Sequence, residues 1–551
     1  MRESDEQRSD RIRPGPVSRR TLLGAAGAGA AGLVGLGACS TSARVPATTP
    51  AAGPGRTPDF VPFDEVSPDR PGTADGVLPG FYRYPDPAID RAGFPLPEGE
   101  SFTAMLQGRP PDVRPEENRN YAALAEQFGT SFQTVFGGFS DYTDKFQVTV
   151  AGGDLPDLMM IVNVAQLPRL LETHFADLTD ILGGDGIRTY PGLANIPTPT
   201  WRVPSVNGRV WGVSQPRPPA GTVITSRGDV MAARGIDDPN VKLRDGDDFV
   251  DLLDQLTDRG KNEFAMGADP LAWLMTIVKE MVGTPNEWAV EGGAFVHENE
   301  TEEMKEALEQ AGKIIRAGYL HPNSFSDPGQ NATWFAAGVT ALYVQSFSFW
   351  GSGALDHPDQ RRGNIEIPKW DGSGPAAKHK SVAGYPAYVA LKKADDDRLA
   401  QLLSIIDFIA SPFGTQQYLT VNYGVEDYSY RMVDGNPQTN PDAPQRAAPY
   451  TYAGSNDRAV LFGQGNADLV DAMHDYLSRI IPAGVDNPTE GLYSETANTK
   501  AATMQNQLQD VQREVLQGTK PMSEWDDFVV RWKATVGDAM AAEYAEAVAQ
   551  Q

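Results

Sequence analysis

The chain has 551 residues, with 47 Lys and Arg against 73 Asp and Glu, a formal net charge of −26. A surface this acidic repels nucleic acid and anionic lipid, which excludes nucleic acid as a partner. With 40% hydrophobic and 22% charged residues it has the composition of a globular protein long enough for two or more domains, and its single cysteine excludes disulfides within the chain.

The N-terminus reads Ser18-Arg19-Arg20-Thr21-Leu22-Leu23, followed by uncharged Gly, Ala, Leu and Val as far as Cys39. Paired arginines before a weakly apolar, glycine-rich stretch resemble a twin-arginine export signal. Leu36-Gly37-Ala38-Cys39 resembles a bacterial lipobox, in which small residues fit the peptidase and the thiol accepts a diacylglycerol. Residues 1–38 are therefore expected to be a removable lipoprotein signal, and Cys39 a lipid anchor on the outer face of a cytoplasmic membrane. The apolar run is short and glycine-rich against the ~20 residues of a membrane span. Removing six arginines and four acids with the signal leaves 41 basic and 69 acidic residues, a net charge of −28. Residues 39–98 are dense in Pro, Gly, Thr and Ser and are expected to form a tether, with Phe81, Tyr82 and Tyr84 near its end.

Past the tether, strand-like runs alternate with amphipathic helices: a strand over 102–106, a helix over 121–128 and a strand over 133–136. This alternation predicts an α/β fold. Helices dominate further on. Phe249, Leu252, Leu253 and Leu256 share one face, as do Met304, Leu308, Ala311 and Ile315, with Gly318 placed to end that helix. Leu399, Leu402, Leu403, Ile406 and Phe408 mark another helix, and Met504, Leu508, Val511 and Val515 another, closed by Gly518. Trp525, Phe528 and Trp532 after Pro521 are expected to dock this last region onto a core.

Catalytic signatures are sparse. The six histidines (His174, His297, His321, His357, His379, His474) show no helical metal spacing, and no Gly-x-Ser-x-Gly elbow or Walker loop occurs in the mature chain. The one Gly-x-Gly-x-x-Gly match, 27–32, is a product of signal composition. Acid-rich turns such as Asp245-Gly246-Asp247-Asp248 lack the spacing of a calcium loop. No metal or other cofactor is expected. Paired carboxylates for glycoside chemistry are identified only by geometry.

Several segments, in order, resemble extracellular solute-binding proteins of family 1, the receptors of carbohydrate ABC importers. They are Val150-Ala151-Gly152-Gly153-Asp154-Leu155-Pro156-Asp157-Leu158, where Pro156 is expected to stop the preceding helix; Asn207-Gly208-Arg209-Val210-Trp211-Gly212-Val213; the run Phe335 to Val344; and Gly384-Tyr385-Pro386-Ala387-Tyr388-Val389-Ala390-Leu391. Gln417-Tyr418-Leu419, Asn422-Tyr423-Gly424-Val425 and Val433-Asp434-Gly435 resemble a longer branch that includes alginate-oligosaccharide receptors. The chain departs from that branch at Glu426-Asp427-Tyr428-Ser429-Tyr430.

The resemblance implies a two-lobed α/β fold of the periplasmic-binding-protein type (type II), with a hinge and a ligand cleft between the lobes. The first lobe is expected over 99–216 and 379–425, the second over 217–378 and 426–551. It further implies a monomeric receptor, not an enzyme, that closes over a carbohydrate and is read by ABC permease subunits. A sugar ring needs aromatic platforms and polar edges, for which Trp350, Tyr385, Trp273 and Phe347, with Asn163, Gln345 and Arg217, are the expected residues. The charge disfavours long-range attraction of uronates, so a neutral oligosaccharide is expected. The alternatives are a surface-anchored glycosidase or polysaccharide lyase, and a peptide or sensor-linked receptor on the same fold.

Overall fold

Leu158, Met159, Met160 and Ile161 form an unbroken apolar run buried on both faces, as a strand inside a helix-covered parallel sheet requires. They belong to a computed structural model that describes residues 57–549 apart from 109, 111, 112, 139, 140 and 444–449. The export signal and Cys39 lie outside the described residues.

The chain runs through β1 (Phe102–Gln107), α1 (Arg119–Phe128), β2 (Phe132–Gly137), α2 (Tyr142–Gly152) and β3 (Leu158–Ile161). Asn118 caps α1 by accepting the Asn120 N–H at 3.0 Å, and Gly129 ends it at φ 63°. The stop of α2 is Gly153, at φ 76°, rather than the expected Pro156. A left-handed cap terminates the helix before proline sterics can act.

A second series follows: β4 (Thr222–Ser226), α3 (Gly246–Gln255), β5 (Phe264–Met266), α4 (Met275–Val282), α5 (Glu302–Ala317), β6 (Thr340–Ser346) and β7 (Gly363–Ile365). Asp245 caps α3 by accepting the Asp248 N–H at 2.9 Å, so this acid-rich turn is a helix start. Gly318 ends α5 at φ 77°, as its position predicts. The chain then returns as β8 (Tyr388–Leu391) and α6 (Asp396–Ile409), and continues through α7 (Ala467–Ala483), α8 (Ala501–Gln517) and α9 (Ser523–Trp532).

Two four-stranded sheets result. The first has the order β8-β3-β1-β2, with β1 parallel to β2 and β3 and β8 antiparallel to β3. The second has the order β7-β4-β6-β5, with β6 parallel to β5 and antiparallel to β4. Each carries its own hydrophobic core. Phe102, Phe128, Met160 and Phe408 lie in the first, and Phe249, Met266, Leu342 and Trp525 in the second. Trp525, Phe528 and Trp532 dock the C-terminal helices onto the second core, as expected from their spacing.

Two expected boundaries shift. Residues 57–98 are packed against the body, so the tether cannot extend to 98. Val77 and Leu78 are buried with residues of α7, the strand Gly80–Phe81 pairs with Leu461–Phe462, and the Tyr84 hydroxyl donates to the Thr415 carbonyl at 2.7 Å. Its aromatics supply the apolar area that anchors a Pro- and Gly-rich path. Residues 426–462, expected in the second lobe, include Tyr430, buried with Phe413 and Tyr418 beside α6, and Tyr450, whose ring lies 5.5 Å from Phe132 of the first sheet. These contacts set Tyr430 and Tyr450 beside elements of the first sheet's side.

Candidate functional site

Strand register decides where a ligand can meet both sheets. Ser346 pairs with Thr222, so β6 ends where β4 begins, and β5, parallel to β6, ends on the same side. Tyr388 pairs with Ile161, so β3 ends where β8 begins. The carboxyl ends of the parallel strands in both sheets therefore face the segments that connect them, the position at which open α/β sheets bind ligands.

Those segments form a close-packed hinge. Val213 and Val389 exchange backbone hydrogen bonds of 3.0 and 2.9 Å, the Tyr385 N–H donates to the Gln215 carbonyl at 2.9 Å, and the Arg217 N–H to that of Ala383 at 3.2 Å. Gly212 is required at the crossing, because a Cβ there would sit 2.4 Å from the Val389 carbonyl oxygen. The Ser214 hydroxyl reaches the carbonyls of Tyr385 and Ala387, both at 3.0 Å.

A polar and aromatic cluster sits on this hinge. Arg217 lies over the Tyr385 ring at 4.6 Å, and Tyr452 lies 4.5 Å from the same ring, tilted by 39°. The Tyr385 hydroxyl donates to Gln107 Oε1 at the carboxyl end of β1. Arg217 Nε and Nη2 both donate to Gln215 Oε1, at 3.3 and 3.2 Å, while Gln215 Nε2 donates to Asp457 at 2.6 Å. Burial holds the Tyr385 phenol above its ordinary pKa, and burial followed by repulsion from Arg458 lowers that of Arg217. Flat rings, amides and a guanidinium together can pack against the C–H face of a polyol and hydrogen-bond its rim.

Of the residues expected from the sequence, Tyr385 and Arg217 are in this cluster. Asn163 is exposed just beyond the end of β3. Gln345, on β6, folds back so that its oxygen accepts the Ser346 N–H at 2.8 Å and its amide donates to the Tyr343 hydroxyl at 3.2 Å. Trp273 is half-buried against the second core, on the turn Pro270–Leu274 that Asp269 caps at the end of β5. Trp350 and Phe347 are elsewhere. They are 5% and 4% exposed, packed against Tyr476 of α7 at ring separations of 5.9 and 6.0 Å, and act as core wedges rather than open platforms. The helix that follows β6 turns its aromatic face inward because α7 covers it.

Sequence reasoning missed Gln107, Gln215, Tyr452 and Asp457. Gln107 had a usable signal, as the last residue of a parallel strand. Tyr452 and Asp457 lie in a segment with no periodicity, and only tertiary pairing brings them to the hinge. Among the described residues no group of His, Cys, Asp and Glu is arranged to hold a metal ion, and no helix is long and apolar enough to cross a membrane.

Comparison with known proteins agrees with this architecture. Lipoprotein LipO of Bacillus subtilis (strain 168) is 21% identical over 462 residues, 78% of this chain and 88% of LipO. The polygalacturonan/rhamnogalacturonan-binding protein YtcQ of the same organism is 21% identical over 426 residues, 74% of this chain and 83% of YtcQ. The crystal structure of alginate-binding protein AlgQ2 without calcium ion superposes with a TM-score of 0.60 at 14% identity, covering 83% of this chain and all of AlgQ2, which establishes a shared two-lobed fold. Residues 121–429, more than half of the chain, match the family model described as bacterial extracellular solute-binding protein, and the chain belongs to that family.

Proposed function

We propose that this chain is the lipid-anchored receptor of an ABC importer and binds an oligosaccharide between its lobes without turning it over. The observation that carries this reading is the hinge cluster, in which Tyr385, Tyr452, Arg217 and Gln107 combine ring faces with hydrogen-bonding edges where the strand ends of both sheets converge. Asn163 on the first sheet's side and Gln345 and Trp273 on the second's then line the approach. In this reading the first lobe comprises 99–216 with 379–462, and the second 217–378 with 463–551. Closure about the 213–217 and 384–389 crossings is a population shift toward the liganded form, which the permease subunits recognise. The names of two relatives, which refer to polygalacturonan and alginate, support a saccharide ligand.

Export follows from the arginine pair at 19–20, with anchoring through a diacylglycerol on Cys39 and action as a monomer at the outer face of the membrane. Thermal denaturation of the purified chain in the presence of an oligosaccharide panel tests the receptor reading. A ligand present at 100 times its Kd stabilises by about 2.7 kcal/mol, so a subset of sugars should raise Tm by a few degrees. No shift with any sugar would refute it. Substituting Cys39→Ser should move the protein from the membrane fraction to the soluble one; persistence in the membrane would refute the anchor.

A further inference from the structure

Residues 57–98, which precede the first sheet's opening strand, reach both of the lobes assigned above. Their two ends are rooted in the first. The Val61 N–H donates to the Ala194 carbonyl at 2.7 Å, and Ile89 exchanges backbone hydrogen bonds of 2.9 and 2.8 Å with Gly414 and Gln416. Arg91 pairs with Asp407 of α6 at 2.7 Å, both side chains being buried, and the Phe94 ring lies 5.0 Å from that of Phe408.

Between these roots the chain crosses to α7. Arg70 donates from Nη1 to Asp471 at 2.7 Å and from Nη2 to Asp475, the Tyr82 hydroxyl donates to Asp471 at 2.8 Å, and His474 Nε2 donates to the Pro71 carbonyl at 2.8 Å. This helix travels with the second lobe. Its Tyr476 packs against Phe347 and Trp350, and its Arg479 pairs with Glu366 just beyond β7. Val77 and Leu78 are buried with Ala220 and with Val223 of β4, immediately after the 213–217 crossing, so they sit where a hinge rotation displaces the chain least.

The crossing has little slack. Tyr82 is bonded to α7, whereas Tyr84, two residues on, donates to the Thr415 carbonyl of the first lobe. Two residues span at most about 7 Å. On the incoming limb Val66 packs against the cluster of Phe413 and Tyr418, only four residues before Arg70. A hinge rotation that carries α7 away from Thr415 therefore loads both limbs at once, and the weaker attachment yields. Arg91 and Asp407 would strand buried charges if parted, a large cost. Arg70, Asp471 and Asp475 have side chains 29%, 39% and 55% exposed, so their pairing is weaker and is screened by salt.

Resting on the receptor reading above, in which the hinge moves, we infer that residues 70–84 form a taut strap that limits the excursion of the hinge, with the Arg70 ion pairs to α7 as its releasable end. A hinge held within narrow limits has fewer arrangements to lose when a ligand binds. The strap thus acts on the lobes without touching the ligand.

The test is pulsed electron–electron distance measurement between spin labels at Gln147→Cys on α2 and Glu306→Cys on α5, both exposed, in the full chain carrying Cys39→Ser so that only these two sites are labelled. Without ligand, the unaltered strap should give one narrow distance peak. Arg70→Gln, or salt at about 1 M, where the screening length is about 3 Å, should raise the population outside that peak about two- to fivefold, the range set by exposed ion pairs. Arg70→Lys should stay near the unaltered strap, and Tyr82→Phe should show a smaller rise. The Tm of each variant reports whether it folds; should Arg70→Gln fail to fold, salt and Tyr82→Phe decide by the same criterion. Distributions that match the unaltered strap in low salt, with or without a lowered Tm, overturn the inference. An oligosaccharide panel added to the same labelled proteins tests the other reading: no sugar-induced change of distance in either the unaltered strap or Arg70→Gln overturns the hinged receptor, whatever the unliganded distributions show.

Discussion

The guanidinium carbon of Arg217 lies 4.6 Å from the centroid of the Tyr385 ring. One residue comes from the outgoing hinge segment and the other from the returning one, so the contact ties the two crossings together. Removing the ring should weaken the site without unfolding the protein, because Tyr385 is only partly buried. Tyr385→Ala is expected to reduce oligosaccharide affinity about fivefold, from the loss of roughly 1 kcal/mol of cation–π and stacking support. Tyr385→Phe keeps the ring and loses only the bond to Gln107, and should cost less. Isothermal titration of both variants against one ligand checks the order.

The hinge depends on one backbone approach. Gly212→Ala would place a Cβ 2.4 Å from the Val389 carbonyl oxygen and 2.8 Å from the Tyr388 ring, and neither belongs to a flexible side-chain end. We expect a destabilisation of about 1–3 kcal/mol, as for other overpacked sites, read as a lower denaturation midpoint. Gly152→Ala is the control, since nothing lies within 4 Å of its Cβ position, and it should be near neutral.

Behind the crossing lies a buried ion pair. Glu280 of α4 accepts from the Lys378 ammonium and, at 3.1 Å, from the His379 N–H; the Glu280 side chain is fully buried and that of Lys378 is 6% exposed. Glu280→Ala strands a buried ammonium and should cost about 3–5 kcal/mol in urea or thermal unfolding. Replacing both members, Glu280→Met with Lys378→Met, should recover much of that loss. A double variant as unstable as the single one would show that the charge is not what matters here.

His297 sets a pH dependence. Its ring packs between Trp288 and Trp532, at 4.8 and 4.5 Å, and burial pushes its pKa down to about 4 from an ordinary 6.5. The folded state thus holds the neutral ring while the unfolded chain takes up a proton as pH falls. Stability from this group is complete above pH ~6.5 and is lost progressively as pH drops toward ~4. Melting curves between these limits should slope downward with acid, and His297→Gln should flatten the slope; an unchanged slope would assign it to other groups.

Much of the fold was legible because periodicity and punctuation are local. Phe249, Leu252 and Leu253 announced the buried face of α3, and Gly318 and Gly518 marked helix ends that the structure realises at φ 77° and 73°. The site was less legible, since an aromatic side chain looks the same in a core and in a cleft. Trp350 and Tyr385 were equal candidates by residue type. What separated them was α7, distant in sequence, which covers Trp350 and leaves Tyr385 half open. Tyr452 and Asp457 sit in a connecting segment whose role is defined only by what it touches.

The central claim, capture of a saccharide without turnover, is tested most directly by calorimetric titration with a panel of oligosaccharides, followed by chromatography of the recovered sugar. The account predicts saturable binding at a single site and sugar recovered intact after prolonged incubation. Absence of binding across the panel, or recovery of cleaved sugar, would contradict it.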